Sequence, residues 1–182
     1  METGIEFKAF DKIARLNREV IVTEKIDGTN GVIYIGDDFT TILAGSRSRW
    51  VVPGEDNFGF AGWVEANREE LLKLGPGYHY GEWWGAGIQR RYGLSEKRFS
   101  LFNVSRWSDP AVRPACCGVV PELARGMDIR AAVENALTIL RVGGSVAAPG
   151  FMKPEGVVAY HTASGMLFKV TLEKDEAPKG AK

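Results

Sequence analysis

Apolar and polar residues alternate in short runs along most of the chain, and this spacing predicts β-strands that are buried on one face. The predicted strands cover residues 20–22, 32–35, 41–44, 78–85, 98–104, 119–120, 157–160 and 166–172. Two other segments, 60–74 and 129–141, carry apolar residues at helical spacing. Strands and helices interleave without a regular β-α-β rhythm, which favours an α+β class with antiparallel sheets over a doubly wound parallel sheet.

The ends of both predicted helices carry recognisable signals. Gly75-Pro76-Gly77 terminates the first helix, whereas Asp128 is suited to cap the start of the second and Gly143-Gly144 to end it. Residues 6–18 also show apolar positions at helical spacing, which predicts a short helix or a turn leading into the first strand. The charged segment 173–182 is expected to be a frayed tail.

Length and composition are those of a soluble protein, with 182 residues, 45% apolar residues and a net charge of zero. They predict a single cytoplasmic domain over residues 1–182, since no apolar run spans a membrane and the start does not read as a signal peptide. Zero net charge means that a nucleic-acid-binding surface has to be local. Cys116 and Cys117 are adjacent and fit neither a disulfide framework nor a metal site, so we expect small buried side chains. His79 and His161 are expected in the core or on the surface rather than as zinc ligands.

The segment around Lys25 is the strongest candidate for chemistry. Lys25 lies two residues before Asp27-Gly28, with β-branched runs on both sides, which predicts a strand, a turn and a second strand. A lysine in such a turn acts as a nucleophile if its neighbours favour the neutral amine. The alternative is a solvated lysine in a hairpin.

Several other polar residues stand in unusual surroundings. Arg47 and Arg49 would share one face of a strand, where their guanidinium groups suit phosphate oxygens; the alternative is an exposed basic edge. Glu82 lies within a strand rich in aromatic residues, so it is either functional or turned to solvent. Arg90 and Arg91 occupy a glycine-flanked loop that either meets a phosphate backbone or is simply solvated.

Taken together, these residues resemble the covalent nucleotidyltransferases, which comprise RNA ligases, DNA ligases and mRNA capping enzymes. Residues 25–30 match their Lys-x-Asp-Gly-x-Asn motif, and further motifs follow in the family's order across residues 23–171. Those further matches are Ser46-Arg47-Ser48-Arg49, Tyr80-Gly81-Glu82, Leu101-Phe102-Asn103-Val104, Glu155-Gly156-Val157-Val158 and Phe168-Lys169-Val170. The short chain and the Gly-Glu-Trp-Trp-Gly form are most similar to phage RNA ligases of the RNA ligase 2 type.

The resemblance implies a nucleotidyltransferase core, an ATP-grasp-like ligase fold of antiparallel sheets flanked by helices, without an OB domain. It also implies an ATP-dependent RNA ligase that uses Mg²⁺ or Mn²⁺. In that reaction a lysine takes AMP from ATP, the AMP moves to a 5′-phosphate, and a 3′-hydroxyl displaces it and seals the strand. The implied partner is RNA with nicked or broken ends, and no membrane is involved.

The resemblance also assigns roles to individual residues. Lys25 is the expected nucleophile, and Glu155 and Lys169 the expected catalytic partners, with Glu155 binding or orienting the metal and Lys169 binding phosphates. Asp27 either braces its turn or takes part in catalysis. The expected nucleotide contacts are Glu24, the backbone of Ile26, Asn30, Arg47 on phosphate, Glu82 on a ribose hydroxyl and Phe102 on adenine; those to RNA are Arg49, Arg90 and Arg91.

Two positions depart from the family's pattern. Thr171 stands where a second lysine is usual, so a phosphate contact is either missing or supplied from elsewhere, for example by Lys174. Asn103 follows Phe102 where the family usually has aspartate. A DNA nick ligase, a guanylyltransferase that uses GTP and a non-catalytic module binding nucleotide or RNA ends remain alternatives. The sequence leaves the oligomeric state and the choice of RNA substrate open.

Overall fold

The computed structural model describes residues 6–56, 58–173 and 175 of the chain. Within these residues two sheets and a few helices form the α+β architecture that the sequence predicts. None of the described helices is long and apolar enough to cross a membrane. In chain order the elements are β1 Val20–Lys25, β2 Thr29–Ile35, β3 Ile42–Gly45, β4 Trp50–Val51, α1 Phe60–Ala66, α2 Arg68–Leu71, a 3₁₀ turn Leu72–Leu74, β5 Gly77–Gly85, β6 Lys97–Leu101, α3 Val104–Trp107, β7 Cys117–Val119, β8 Glu122–Gly126, α4 Ile129–Gly143, β9 Gly156–His161 and β10 Met166–Thr171.

The first sheet has the strand order β10-β9-β1-β8, and all its neighbouring strands are antiparallel. One face of this sheet packs against α4 through Val20, Val22 and Ala159. The helix starts at Asp128 as the sequence predicts, because the Asp128 carboxylate accepts hydrogen bonds from the amides of Arg130 and Ala131. Part of the other face packs against the second sheet through Ile21.

The second sheet has the order β4-β3-β2-β5-β6-β7, antiparallel except for the β6–β7 pair. One face carries the largest core cluster, in which α1 and the turn after α2 cover the strands. Gly31 in β2 allows this packing, since a Cβ there would lie 2.7 Å from Phe60 and 2.8 Å from Phe99. The alternate residues of β2, among them Asn30 and Tyr34, therefore point away from this core.

A third cluster of buried side chains joins the two sheets. Ile21 of β1 and Trp84 of β5 meet there, together with Ile26 from the segment between β1 and β2. Tyr92 packs edge-on against Trp84, with ring centroids 5.0 Å apart. The sheets are thus held together beside Lys25.

The structure corrects several expectations about local structure. Residues 6–15 form no helix, and their apolar side chains are exposed because no described element packs against them. Arg47 and Arg49 lie in the bend between β3 and β4 rather than in a strand. The predicted helix over 60–74 is divided near Asn67 into α1, α2 and the 3₁₀ turn. Strand β8 was not predicted, because its mixed polar sequence lacks a clear alternation.

The cysteines and histidines lie where the sequence places them. Cys117 is buried and Cys116 half-buried, and both are free thiols. His79 and His161 are buried, with Nε2 of each bonded to a backbone carbonyl, that of Gly75 and of Leu16 respectively. Most of the predicted tail, 174 and 176–182, lies outside the described residues, whereas Asp175 accepts a 2.8 Å hydrogen bond from the amide of Thr171.

Candidate active site

Lys25 lies at the point where the chain passes from one sheet to the other. It is the last residue of β1, in the first sheet, and residues 26–28 lead into β2, in the second sheet. Gly28 brings this crossing close to β5, since a Cβ at Gly28 would overlap the carbonyl oxygen of Trp83 and lie 2.7 Å from Cβ of Trp84. The two strands do not pair with each other, so the alternative of a simple hairpin lysine is wrong.

The amine of Lys25 contacts the carboxylate of Glu155, with 2.5 Å between Nζ and Oε2. Pairing of β1 with β9 places Lys25 opposite Gly156, which brings the preceding Glu155 beside the amine. Both side chains are only partly exposed, 24% for Lys25 and 17% for Glu155. Two residues that are 130 positions apart, and that the sequence marked separately, therefore form one unit.

The segment after Lys25 is braced by two residues of the loop between β5 and β6. The carboxylate of Asp27 accepts from Nε of Arg90 at 2.9 Å, and Arg90 also donates to the carbonyl of Lys153 at 3.0 Å. The amide of Asp27 donates to the hydroxyl of Tyr92 at 2.7 Å. Burial raises the pKa of the Tyr92 phenol, so this hydroxyl stays protonated. Of the two roles left open for Asp27, these contacts favour bracing.

Arg90 binds Asp27 and is 32% exposed, so its predicted contact with RNA stays a prediction. Gln89, Arg91 and Tyr92 adopt positive φ angles, and this tight loop directs Arg90 towards Asp27. The side chain of Arg91 is exposed, so its predicted role stays open. Tyr92 was missed by the sequence reasoning, because nothing local marks a tyrosine in a loop as a partner of a residue 65 positions away.

Glu82 faces the same crossing from the second sheet. Its carboxylate accepts from the amide of Gly28 at 3.0 Å and from the side-chain amide of Asn30, its neighbour across the β2–β5 pair, at 3.2 Å. The alternative of a solvent-facing Glu82 is wrong, since the residue is buried. Burial raises the pKa of Glu82 from its ordinary value to about 7, although the nearby Lys25 ammonium opposes the shift. Asn30 thus orients Glu82, which contacts the segment that follows Lys25.

Glu24 was predicted to bind the nucleotide, but its side chain points away from this site. Successive residues of a strand face opposite sides, so Glu24 lies on the face covered by α4. It is fully buried and accepts from Ser145 Oγ at 2.6 Å and from the amides of Val146 and Ala147 at 2.8 and 2.9 Å. Glu24 therefore fastens the loop after α4 to β1, a role that the sequence alone did not show.

The remaining residues of the first sheet are placed by strand register. Residues directly opposite each other point to the same face, so Thr171 stands in the row of Lys25 and Gly156. Lys169 stands in the next row, opposite Val158, on the same face as Lys25 and exposed to solvent. Its role as a phosphate ligand stays a prediction, and Lys174 lies outside the described residues.

The predicted base and phosphate contacts lie around the second sheet. Phe102 follows β6 directly and is 40% exposed, which leaves its ring free to stack. Arg47 and Arg49 are exposed in the turn after β3. Gly45 pairs with Val32, and β3 runs antiparallel to β2, so this turn extends towards the end of the sheet that carries Asn30.

The carboxylates also bear on metal binding. The described residues contain no cluster of three or more histidine, cysteine, aspartate or glutamate side chains that would hold a metal alone. Mg²⁺ usually retains several waters and binds through one or two carboxylates together with substrate phosphates. Glu155 beside Lys25 fits that mode of binding.

Comparison with solved structures identifies the same fold elsewhere. A mutant of Naegleria gruberi RNA ligase with AMP and Mn is 22% identical, with a TM-score of 0.62 over 85% of this chain and 50% of that chain. A second mutant, with ATP and Mn, is 21% identical, with a TM-score of 0.58 over 95% and 58% of the two chains. At this identity the likeness shows the fold, and the chain spans about half the length of most of these ligase chains. No curated protein matches the chain.

A match to a protein-family model identifies the family of this chain. The model described as RNA ligase matches residues 18–171, which include Lys25, Glu82, Glu155 and Lys169. The matched segment also contains both sheets and α4, from the first strand to the last. The chain therefore belongs to the RNA ligase family.

Proposed function

We propose that this chain is the nucleotidyltransferase core of an ATP-dependent RNA ligase and that Lys25 is its nucleophile. The contact between Lys25 Nζ and Glu155, at the crossing of the two sheets, is the observation that carries this proposal. Family membership and the ATP- and AMP-bound ligases of the same fold support it. The similarity to phage enzymes in particular stays a prediction.

The reaction proceeds in three steps, of which the first two transfer the adenylyl group and the third releases it as AMP. The neutral amine of Lys25 attacks the α-phosphorus of ATP, so that an N–P bond forms, the bond to pyrophosphate breaks and the amine loses a proton. The 5′-phosphate of an RNA strand then displaces the lysine and takes the AMP. Finally a 3′-hydroxyl attacks that 5′-phosphate and releases AMP, which seals the strand.

Glu155 has two tasks in this scheme. Its carboxylate fixes the position of Lys25 Nζ and is the nearest acceptor of the amine's proton among the contacts of that atom. It is also the residue that would hold Mg²⁺ or Mn²⁺, which when bound neutralises charge on the phosphates. Both tasks require the carboxylate beside the amine, so Glu155→Gln should slow the first transfer.

The other residues position the nucleotide. Glu82 accepts from a ribose hydroxyl, and Phe102 stacks on the adenine from its exposed position after β6. The backbone of Ile26 contacts the edge of the base. Arg47 and Lys169 bind phosphate oxygens from the two sheets, and their charges offset the charge that accumulates during transfer.

Mass spectrometry of the purified chain after incubation with ATP and Mg²⁺ or Mn²⁺ tests the first transfer. The expected product is one AMP per chain, mapped to Lys25, and Lys25→Ala should gain none. Lys73→Ala is a matched control, because Lys73 is an exposed lysine paired with Glu70 away from the site. Adenylation of the Lys25→Ala variant would refute the assignment of the nucleophile.

The same experiment separates the alternatives. A GMP adduct from GTP would identify a capping-type guanylyltransferase, and no adduct from either nucleotide would indicate a non-catalytic module. If AMP is gained, nicked RNA and nicked DNA of the same sequence then distinguish an RNA ligase from a DNA ligase. We expect sealing of RNA.

A further inference from the structure

The second sheet carries an exposed aromatic surface on the face opposite its core. It consists of Tyr34, Trp50, Tyr78 and Tyr80, and we call it the aromatic face. Strand register places Tyr80, Val32, Gly45 and Trp50 in one row across four strands, and Tyr78, Tyr34 and Leu43 in the next row. Trp50, Tyr78 and Tyr80 are 48%, 56% and 54% exposed.

Neighbouring rings of the aromatic face lie close to one another. Tyr78 lies nearly parallel to Tyr80 and to Trp50, with interplanar angles of 13° and 21° and centroids 6.3 Å apart in both pairs. Tyr34 supports Tyr78 from the side at 4.8 Å. Gly45 makes room for Trp50, since a Cβ at Gly45 would lie 3.0 Å from the indole ring. The rings therefore form one continuous group, in which about half of each of Trp50, Tyr78 and Tyr80 is accessible to solvent.

This surface is continuous with the active site. The row that contains Tyr80 is followed along β5 by the row of Glu82 and Asn30, about 7 Å further on. Glu82 in turn accepts from Gly28, in the crossing after Lys25. A strand whose end lies at Lys25 and that passes Glu82 would reach the aromatic face with its next nucleotides.

The charge next to the aromatic face suits a phosphate backbone. Arg49 directly precedes Trp50, and Arg47 lies in the same turn. Both side chains are exposed, and neither pairs with a carboxylate of the residues that the structure describes. Aromatic rings beside free cations are the combination with which proteins bind single-stranded nucleic acid, by stacking on bases and neutralising phosphates. A purely apolar partner would leave the tyrosine hydroxyls and Arg49 without a role.

We propose that the aromatic face binds unpaired nucleotides of the RNA substrate, so that the chain acts on single-stranded ends rather than on nicked duplexes. The bases stack on Tyr80, Tyr78 and Trp50, and Arg49 meets the backbone. Base faces are accessible for such stacking only where the RNA is unpaired. This proposal rests on the proposed function, since it assigns a substrate class to that same site.

Fluorescence anisotropy with a labelled, 5′-phosphorylated single-stranded RNA of about twelve nucleotides, without ATP, tests the proposal. Tyr78→Leu and Trp50→Leu should each weaken binding between about fivefold and about a hundredfold, the range for one lost base stack. Tyr78→Phe keeps the ring and should bind like the unchanged chain. Ile139→Ala is the matched control, because Ile139 is a similarly exposed apolar residue on α4, outside this sheet.

A change in the RNA and a series of salt concentrations test the stacking and the phosphate contact separately. Abasic nucleotides near the 5′ end keep the phosphates, and they should weaken binding to the unchanged chain but not weaken further the binding to Tyr78→Leu. Arg49→Gln should lower the slope of log affinity against log salt concentration by about 0.7, the value for one phosphate contact on a single strand.

Several results would overturn the proposal. These are equal affinity of Tyr78→Leu and the unchanged chain, tighter binding of the same strand in a blunt duplex, or no binding of single-stranded RNA. A dimer in light scattering that Tyr78→Leu dissociates would assign the face to a second copy of the chain instead. Adenylation of Lys25 is measured separately on the same variants. If it fails while the RNA results hold, the aromatic face binds unpaired RNA but the chain does not act on its ends as a ligase. If adenylation holds while the RNA results fail, only the proposal for the aromatic face falls.

Discussion

Replacement of Glu82 by glutamine should remove a specific part of the pH dependence of stability. Burial raises the pKa of Glu82 from an ordinary value of 4.5 to about 7. Between these values the folded chain retains the proton on Glu82, whereas the unfolded chain has released it. The folded state then binds more protons, so the free energy of unfolding falls as the pH rises through this interval.

The size of the effect follows from the pKa shift. A shift of one unit corresponds to 1.36 kcal/mol, so about 2.5 units correspond to a loss of about 3 kcal/mol between pH 4.5 and pH 8. Glutamine carries no charge at any of these pH values and still offers an oxygen to the amide of Gly28. The Asn30 amide can turn to accept from the new NH₂ group. Glu82→Gln should therefore lack this component while it keeps the packing.

Urea denaturation of both chains from pH 4.5 to pH 8 measures the difference. The contributions of other titrating groups cancel when the two curves are subtracted, and the unchanged chain should lose about 3 kcal/mol relative to Glu82→Gln. Glu96→Gln is the control for removal of a carboxylate, since Glu96 is exposed and paired with Arg98. A difference between the chain and Glu82→Gln that stays constant with pH would refute the reasoning.

Three further changes test the packing and bracing around the site. Gly28→Ala should lower the free energy of unfolding by about 1–3 kcal/mol in urea, because the new Cβ meets Trp83 and Trp84, whereas Gly62→Ala on the open side of α1 should not lower it. Arg90→Lys cannot bond both Asp27 and the carbonyl of Lys153. Single-turnover adenylation should therefore slow, while the free energy of unfolding measured in urea falls by about 1 kcal/mol or less. The control Arg141→Lys, on α4, should leave the rate of adenylation unchanged. Asp128→Ala should lower the free energy of thermal unfolding by about 1 kcal/mol, because α4 loses its N-terminal cap. An unchanged melting temperature would contradict that role.

The elements that the sequence predicted well are those with a strong local signal. Strand β5 and helix α4 follow from alternation and from helical spacing with a capping aspartate, and both are confirmed. Residues 6–15 show the limit of that reasoning, because helical spacing of apolar residues stabilises a helix only when another element covers the apolar face. In the described structure nothing covers it, and the side chains are exposed.

Local sequence patterns do not predict contacts between distant parts of the chain. Whether β1 and β2 pair or belong to different sheets depends on partners far along the chain, in β8 and β9. The resemblance implied that Glu24 contacts the nucleotide, but strand alternation turns its side chain to the buried loop after α4. The pairing of Arg90 with Asp27 likewise depends on a loop whose positive φ angles leave no clear sequence signal.

The position of Lys25 between the sheets explains why such distant residues are needed. A lysine within one sheet would be fixed by its own strand neighbours, whereas at the crossing it is held from several sides. Glu155 reaches it from the start of β9, Glu82 fixes Gly28 from β5, and Tyr92 and Arg90 fix Asp27 from the loop after β5. The contact with Glu155 follows from pairing within the first sheet, whereas the contacts of Gly28 and Asp27 come from the second sheet and its loop. The motifs therefore extend in order from one end of the matched segment to the other, because residues of both sheets and of their loops form the site.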